Sequence, residues 1–334
     1  MPFFALMRAY RKLAMACYRT ADRMRWQDSR TQSFLTHHTA ADGKYFYIIA
    51  VPTMLHLLIP AVRLVESEVR IIFIVNGLSQ RELHFLSNVY PRAPLLRLPT
   101  LPRAIWSHGT VISLLLRTSP RDFGILDHDF FLFDVSIFRQ LEFADNEYAI
   151  CLTGWRNDVT GLHFPGTHFL YLRVAPLRRL IHQYSVDANV YKRPPHTTSS
   201  ALSALGLSIE NPPKEYQNFF DSFLLLSALA MHHGLASRLL KPTQNSFTHV
   251  GSTSMGSQLT KSPLHHYLNA RFIARLEDED VANEYLCRGL ASVGSAAHFR
   301  NLLEPETADR IDALIARVDQ HVSAHRHQSA SGRG

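Results

Sequence analysis

Two unbroken apolar runs, residues 45–51 (YFYIIAV) and 69–75 (VRIIFIV), set the narrowest limits on what this chain can fold into. Continuous aromatic and β-branched runs without polar alternation are expected of strands covered on both faces. Pro52 and Thr53 punctuate the first run, and Asn76-Gly77 closes the second. Between and after them, residues 54–66 read as a helix kinked at Pro60, and residues 80–90 carry helical spacing through Leu83, Phe85, Leu86 and Val89. A short strand at 95–98, a helix from about 103 to 116 and a strand at 123–126 continue the alternation. Strands and helices in that order form βαβ units, so the fold class is α/β: a Rossmann-type, mostly parallel sheet flanked by helices. Ligands of such sheets gather outside the carboxyl ends of the strands, and Asp127 and Asp129 follow the 123–126 strand directly.

The flanking regions obey other rules. Over residues 1–30, Phe3, Leu6, Met7, Tyr10, Leu13, Ala14 and Cys17 repeat at helical spacing, with Arg8, Arg11, Lys12, Arg19 and Arg23 on the other side. Seven basic residues there face only Asp22 and Asp28. Such a helix suits either a peripheral contact of residues 1–25 with acidic lipid or packing on the protein's own body. Residues 31–44 are polar and read as a loop. Beyond the acidic pair, strands are expected at 148–153 and 168–174, joined by a glycine-containing loop at 154–166, with a short helix at 177–184. The Pro- and Ser/Thr-rich stretch 193–213 reads as a long loop or lid, and 214–233 as a buried helix opened by Asn211-Pro212-Pro213. The expected organisation is a catalytic body at 31–275, with a donor half at 45–134 and an acceptor half at 148–260. Helices at 276–325 form a carboxyl-terminal addition, and 326–334 a flexible tail.

Composition narrows the functional classes. A charged fraction of 19% is too low for disorder, and the net charge of +7 comes without an aromatic-interleaved basic stripe, so no nucleic-acid partner is expected. Three cysteines without a CxxC pair suit a reducing, cytoplasmic setting, with the inner membrane face as a possible docking place. GxSxG and GxxxxGK[ST] are both absent, which removes nucleophile-elbow and P-loop chemistry.

The strongest chemical signal is FGILDHDFFLFD, residues 123–134. Two carboxylates amid so much apolar chain are costly without a compensating cation. Mg²⁺ or Mn²⁺ takes carboxylate and diphosphate oxygens together, which makes either the natural partner. An Asp pair capping a turn would read the same way locally.

In the form hydrophobic-Leu-Asp-His-Asp-aromatic, residues 123–131 resemble the DxD element of the GT-A glycosyltransferases, and the strand–helix alternation of 45–126 extends the likeness. The resemblance implies a nucleoside diphosphate sugar donor, a Mn²⁺ or Mg²⁺ cofactor, and a glycan, lipid or protein acceptor. It implies Asp129 as metal ligand and Asp127 as donor and metal contact. His249, in the small-residue segment FTHVGSTS, resembles the family's late metal-binding histidine. By position, Thr53, Asn76, Arg103 and His108 are candidates for contacts to the donor, and Lys261 or Arg238 for the diphosphate. Inversion would need one carboxylate base. Asp158 is the candidate, beside Trp155 and Arg156 as acceptor contacts, with Asp134, Glu142 and Asp145 as rivals.

Two other classes stay open on residues alone. A haloacid-dehalogenase-like phosphatase also places Asp-x-Asp after a strand, although normally the first one and with Thr or Val where Phe131 stands. A non-catalytic, glycan-binding relative of the transferases is the other.

Overall fold

The structure, a computed structural model, describes residues 2–101, 104–214, 219–243, 245–251, 262–288 and 296–331 of the chain. Helices α1 (Pro2–Arg23) and α2 (Asp28–His38) precede the alternating unit β1 (Tyr45–Ala50), α3 (Leu55–Arg63), β2 (Arg70–Val75), α4 (Gln80–Val89), β3 (Leu95–Arg97), α5 (His108–Thr118) and β4 (Phe123–Leu126). Then come β5 (Phe130–Leu132), β6 (Glu147–Cys151), β7 (Gly154–Arg156), β8 (His163–Pro165) and β9 (Phe169–Leu172). The remainder is α6 (Val174–Tyr184), α7 (Ser199–Ala204), α8 (Leu224–His232), β10 (Ala236–Leu239), β11 (Phe247–His249), α9 (Pro263–Ile273), α10 (Glu279–Cys287), α11 (Ala296–Asn301) and α12 (Pro305–Ser331).

Seven strands form the central sheet in the order β10-β6-β9-β4-β1-β2-β3. All run parallel except β9, which is antiparallel to both β4 and β6. Both apolar runs read from the sequence are interior strands of the sheet, and every residue of β1 is buried. Gly124 belongs to this packing: a Cβ there would come within 2.1 Å of the Phe46 ring on the neighbouring strand.

Right-handed crossovers decide where the helices go. From β1 the chain steps outward to β2 and β3, which sends α3 and α4 to one face. It then returns past β1 to β4, which sends α5 to the other. The packing agrees: α3 meets α9 and α12, and α4 meets α10, whereas α5 meets α1, α2 and α6. The sheet thus reverses its winding between β1 and β4, and the crevice at their carboxyl ends is the usual ligand site of an open α/β sheet.

Several local expectations are corrected. Residues 28–38 are helical, not loop: Thr31 and Leu35, one turn apart, are buried, and Asp28 in the first turn accepts from the buried Arg117. The helix expected from 214 begins only at Leu224, since Phe223 adopts φ 72 and Phe220 is drawn into a bridge with Tyr191. The stretch 193–213 contains α7, and α12 continues to Ser331 across most of the expected tail. On α1, the face turned to the body carries Ala14, Tyr18 and Asp22, while Leu13 and Cys17 are exposed. Tyr18 stacks on Trp106 with centroids 5.4 Å apart. No helix among the described residues is long and apolar enough to cross a membrane.

Candidate active site

Three chain segments converge at the carboxyl end of β4, each for a reason visible in its pairing. Asp127 is the first residue past β4, and the turn Asp127–Asp129 is closed by the Phe130 amide donating to Asp127 O at 3.2 Å. Because β9 runs antiparallel to β4, its first residue pairs with Leu126, so His168 lies opposite Asp127. The Asp127 amide donates to His168 O at 2.9 Å, and Asp127 Oδ2 lies 3.2 Å from His168 Nδ1. The third segment is β11, which pairs antiparallel with β5 and sets His249 opposite Phe130. Val250 N donates to Asp129 O at 3.2 Å, and His249 Nε2 stands 3.5 Å from Asp129 Oδ1. The His168 and His249 rings stack with centroids 3.6 Å apart.

Asp127, His168 and His249 therefore share one small volume, with ligand atoms all within 4.8 Å of one another. Asp127 is a quarter exposed, but the Asp129 side chain is only 5% exposed and lies behind His249. The donor set of one carboxylate and two imidazoles fits a divalent cation, and imidazole nitrogen suits first-row transition metals better than Mg²⁺. Asp129 stands where a carboxylate orients a ligating histidine.

His108, the first residue of α5, also reaches Asp127. Its Nε2 is 3.7 Å from Asp127 Oδ1 and is itself sealed from solvent. Burial lowers its pKa, against the opposing pull of Asp127. Ser107 caps α5 by accepting from the Thr110 amide at 3.2 Å, which fixes the helix end that carries this imidazole.

Of the other expected donor contacts, Thr53, Asn76 and Arg238 have partners within the fold. Thr53, at φ 66, gives its amide to Glu82 Oε1 at 2.6 Å and its hydroxyl to Pro52 O at 2.6 Å. Asn76 is buried, with Nδ2 donating to Trp106 O and Oδ1 accepting from Trp106 N, both at 2.9 Å. Arg103 and Lys261 lie outside the described residues. Arg238 pairs with Glu147.

On the acceptor side, Trp155, Arg156 and Asp158 belong to the β7–β8 hairpin. Asn157 is buried within its turn, accepting from Thr160 N at 2.8 Å and donating to Pro212 O at 3.0 Å. That clamp holds residues 212–214 against the hairpin and sets Lys214 Nζ 4.4 Å from the Trp155 ring centroid. A sugar stacking on that face must displace the ammonium group. Arg156 and Asp158 are exposed. Asp134 Oδ1 accepts from the Ser136 amide at 3.1 Å and from its hydroxyl at 2.6 Å. The sequence reading missed His168, whose place beside Asp127 depends on the reversed direction of β9, a long-range feature that no local pattern encodes.

No curated protein matches the chain. Among solved structures, the apo form of WbbM, a bifunctional glycosyltransferase, aligns at 11% identity and a TM-score of 0.41 over 74% of this chain. The chain spans about half the length of that protein, 52%. Residues 21–177, which include β1 to β9 and both Asp127 and His168, match the family model described as the StrH glycosyltransferase N-terminal domain, so this region is similar to a glycosyltransferase domain.

Proposed function

We propose that the protein is a metal-assisted glycosyltransferase of the GT-A type, moving a sugar from a nucleoside diphosphate sugar to a hydroxyl of a glycan, lipid or protein. The observation that carries this reading is the convergence of Asp127, His168 and His249 at the switch point of the sheet. In this reading Asp127, His168 and His249 hold Mn²⁺ or Mg²⁺, with the imidazole pair favouring Mn²⁺. When bound, the ion supplies positive charge to the departing diphosphate. Asp127 also touches the donor, Asp129 orients His249, and His108 borders Asp127.

The test is nucleoside diphosphate binding by calorimetry across a panel of bases, with and without Mn²⁺, for wild type and Asp127→Asn. Binding that requires the metal and is lost in the variant supports the reading, and the preferred base narrows the donor. A folded wild-type protein that binds no nucleotide overturns it.

A further inference from the structure

From Leu13 to Trp26 the chain shows solvent an apolar surface that the packing of α1 does not use. Leu13 is 65%, Met24 76% and Trp26 67% exposed, and Met15 is exposed as well. No other stretch of that length among the described residues leaves more than one large apolar side chain in solvent. Helical spacing orders part of this surface. Leu13, Cys17, Thr20 and Met24 fall at i, i+4, i+7 and i+11, a single stripe, and all four are exposed. The Met24 amide still donates to Thr20 O at 2.9 Å, so the spiral carries on to it past the last residue of α1. The buried Ala14, Tyr18 and Asp22 form a separate line at i, i+4 and i+8. One line of the helix is spent on the body and the other is not.

The charges beside this stripe that face outward are of one sign. Asp22 and Asp28, the two acidic residues of the segment 1–30, both turn to Arg117, which donates to Asp22 Oδ2 at 3.1 Å and to Asp28 Oδ1 at 2.9 Å. Arg19 is spent on Asp187 at 3.1 Å. Lys12, Arg23, Arg25 and Arg30 stand exposed. Arg23 lies 3.8 Å from Asp187, a carboxylate that Arg19 already holds through both oxygens. The Arg25 guanidinium meets His182 Nδ1 at 3.1 Å, a neutral acceptor that leaves its charge uncompensated. The surface is also fixed to the rest of the molecule. Tyr18 stacks on Trp106 just ahead of α5, and Asp22 pairs with Arg117 in the last turn of α5, so α1 lies along the helix that carries His108.

We propose that residues 12–30 are a docking surface for a lipid bilayer with anionic headgroups. Exposed apolar side chains bordered by lysine and arginine suit the boundary between acyl chains and headgroups, and tryptophan is enriched at that depth. The anionic headgroups complement the four exposed cations, whose own acidic neighbours are turned inward on Arg117. The contact is one of docking and not of spanning, since no helix among the described residues is long and apolar enough to cross a membrane. A second copy of the chain is a poorer occupant. A two-fold contact through this face would set Lys12, Arg23, Arg25 and Arg30 against the same four cations. The inference goes beyond the glycosyl-transfer reading and does not depend on the chemistry at Asp127.

The experiment floats the full chain with vesicles of phosphatidylcholine alone or mixed in equal parts with phosphatidylglycerol, and follows tryptophan emission and melting temperature. Wild type should float with the mixed vesicles, stay behind with phosphatidylcholine alone, and be released as salt is raised. Its emission should move to the blue on binding, a shift lost in Trp26→Phe, because Trp106 is buried and Trp155 half-buried. Leu13→Glu/Met24→Glu should bind about 10²-fold more weakly and Lys12→Ala/Arg23→Ala about 30-fold, each melting as wild type does. Asp127→Asn should bind vesicles like wild type, which keeps this outcome separate from that of the nucleotide test. No flotation by folded wild type, equal flotation with phosphatidylcholine alone, or full binding by both double variants overturns the proposal. So does a dimer in ultracentrifugation that Leu13→Glu/Met24→Glu abolishes, which gives the face to a second copy. Binding to poly-glutamate as tight as to the mixed vesicles overturns it as well and gives the face to an acidic chain.

Discussion

The carboxyl ends of β1 and β2 and the carboxyl end of β4 point the same way in one sheet, yet they treat their polar groups in opposite fashion. After β1, Thr53 gives its amide to Glu82, a fully buried carboxylate that also accepts from the Ser79 amide and the Tyr285 hydroxyl, both at 2.8 Å. After β2, Asn76 is spent on both backbone groups of Trp106. After β4, Asp127 is left a quarter open to solvent among His108, His168 and His249. The first two ends are knots that bind loop to helix. The third is a cluster of metal-type donors. If glycosyl transfer takes place at the end of β4, as proposed, substitutions at the two kinds of end should separate activity from stability.

The largest effect belongs to β4. Asp127→Asn should lower sugar transfer by about 10²–10³-fold, the scale of one preorganised electrostatic contact, with little change in melting temperature. Asp129→Asn should act through His249 and weaken Mn²⁺ affinity by about 10–100-fold, as is usual for a residue that orients a ligand. Titration with Mn²⁺ alone, followed by calorimetry, separates the two. A large fall in melting temperature for Asp127→Asn would erase the contrast with β1, since it would make Asp127 a structural knot as well.

Glu82→Ala is the converse. It strands two backbone amides and the Tyr285 hydroxyl inside the protein, for a loss on the order of 3 kcal/mol in chemical denaturation. It should also loosen α10, because Tyr285 is the α10 residue that reaches this carboxylate. Asn76→Ala breaks a smaller knot and should cost about 2 kcal/mol, with transfer falling only in proportion to the folded fraction. A variant at Asn76 that stays stable but loses nucleotide binding would restore it as a donor contact.

How much of this was legible in the sequence follows the range of the interactions. β1, β2 and β4 were readable because strands covered on both faces carry their burial in consecutive residues, and Asp127 because it ends such a run. His249 entered through a family likeness. His168 had no local signal, because its place beside Asp127 depends on β9 running backwards. α2 was hidden because two buried residues, Thr31 and Leu35, anchor it, too few to give a periodic signal. Thr53 and Asn76 show a limit of position, since a strand-end residue can fasten a loop as readily as bind a ligand, and here their partners are Glu82 and Trp106.

The comparison extends to the end of β6, where Cys151 provides a chemical probe. Its thiol is buried, lies 3.7 Å from Arg238 O, and is pushed by burial up to about 12. Cys17 and Cys287 are exposed. A thiol reagent at pH 8 should therefore modify two cysteines in the native protein and the third only after denaturation. The same burial makes a pH prediction with a definite sign. Below about pH 8.5 the thiol is protonated in both states and contributes nothing. Above that value the unfolded chain releases the proton while the folded chain keeps it, so stability from this group falls by about 1.4 kcal/mol per pH unit until the folded pKa is reached. Cys151→Ala should flatten that alkaline slope while leaving the Mn²⁺ site untouched. Rapid labelling of Cys151 at pH 8 in the folded protein would mean that the end of β6 is open like that of β4, and the boundary between fastened and reactive strand ends would have to be redrawn to include it.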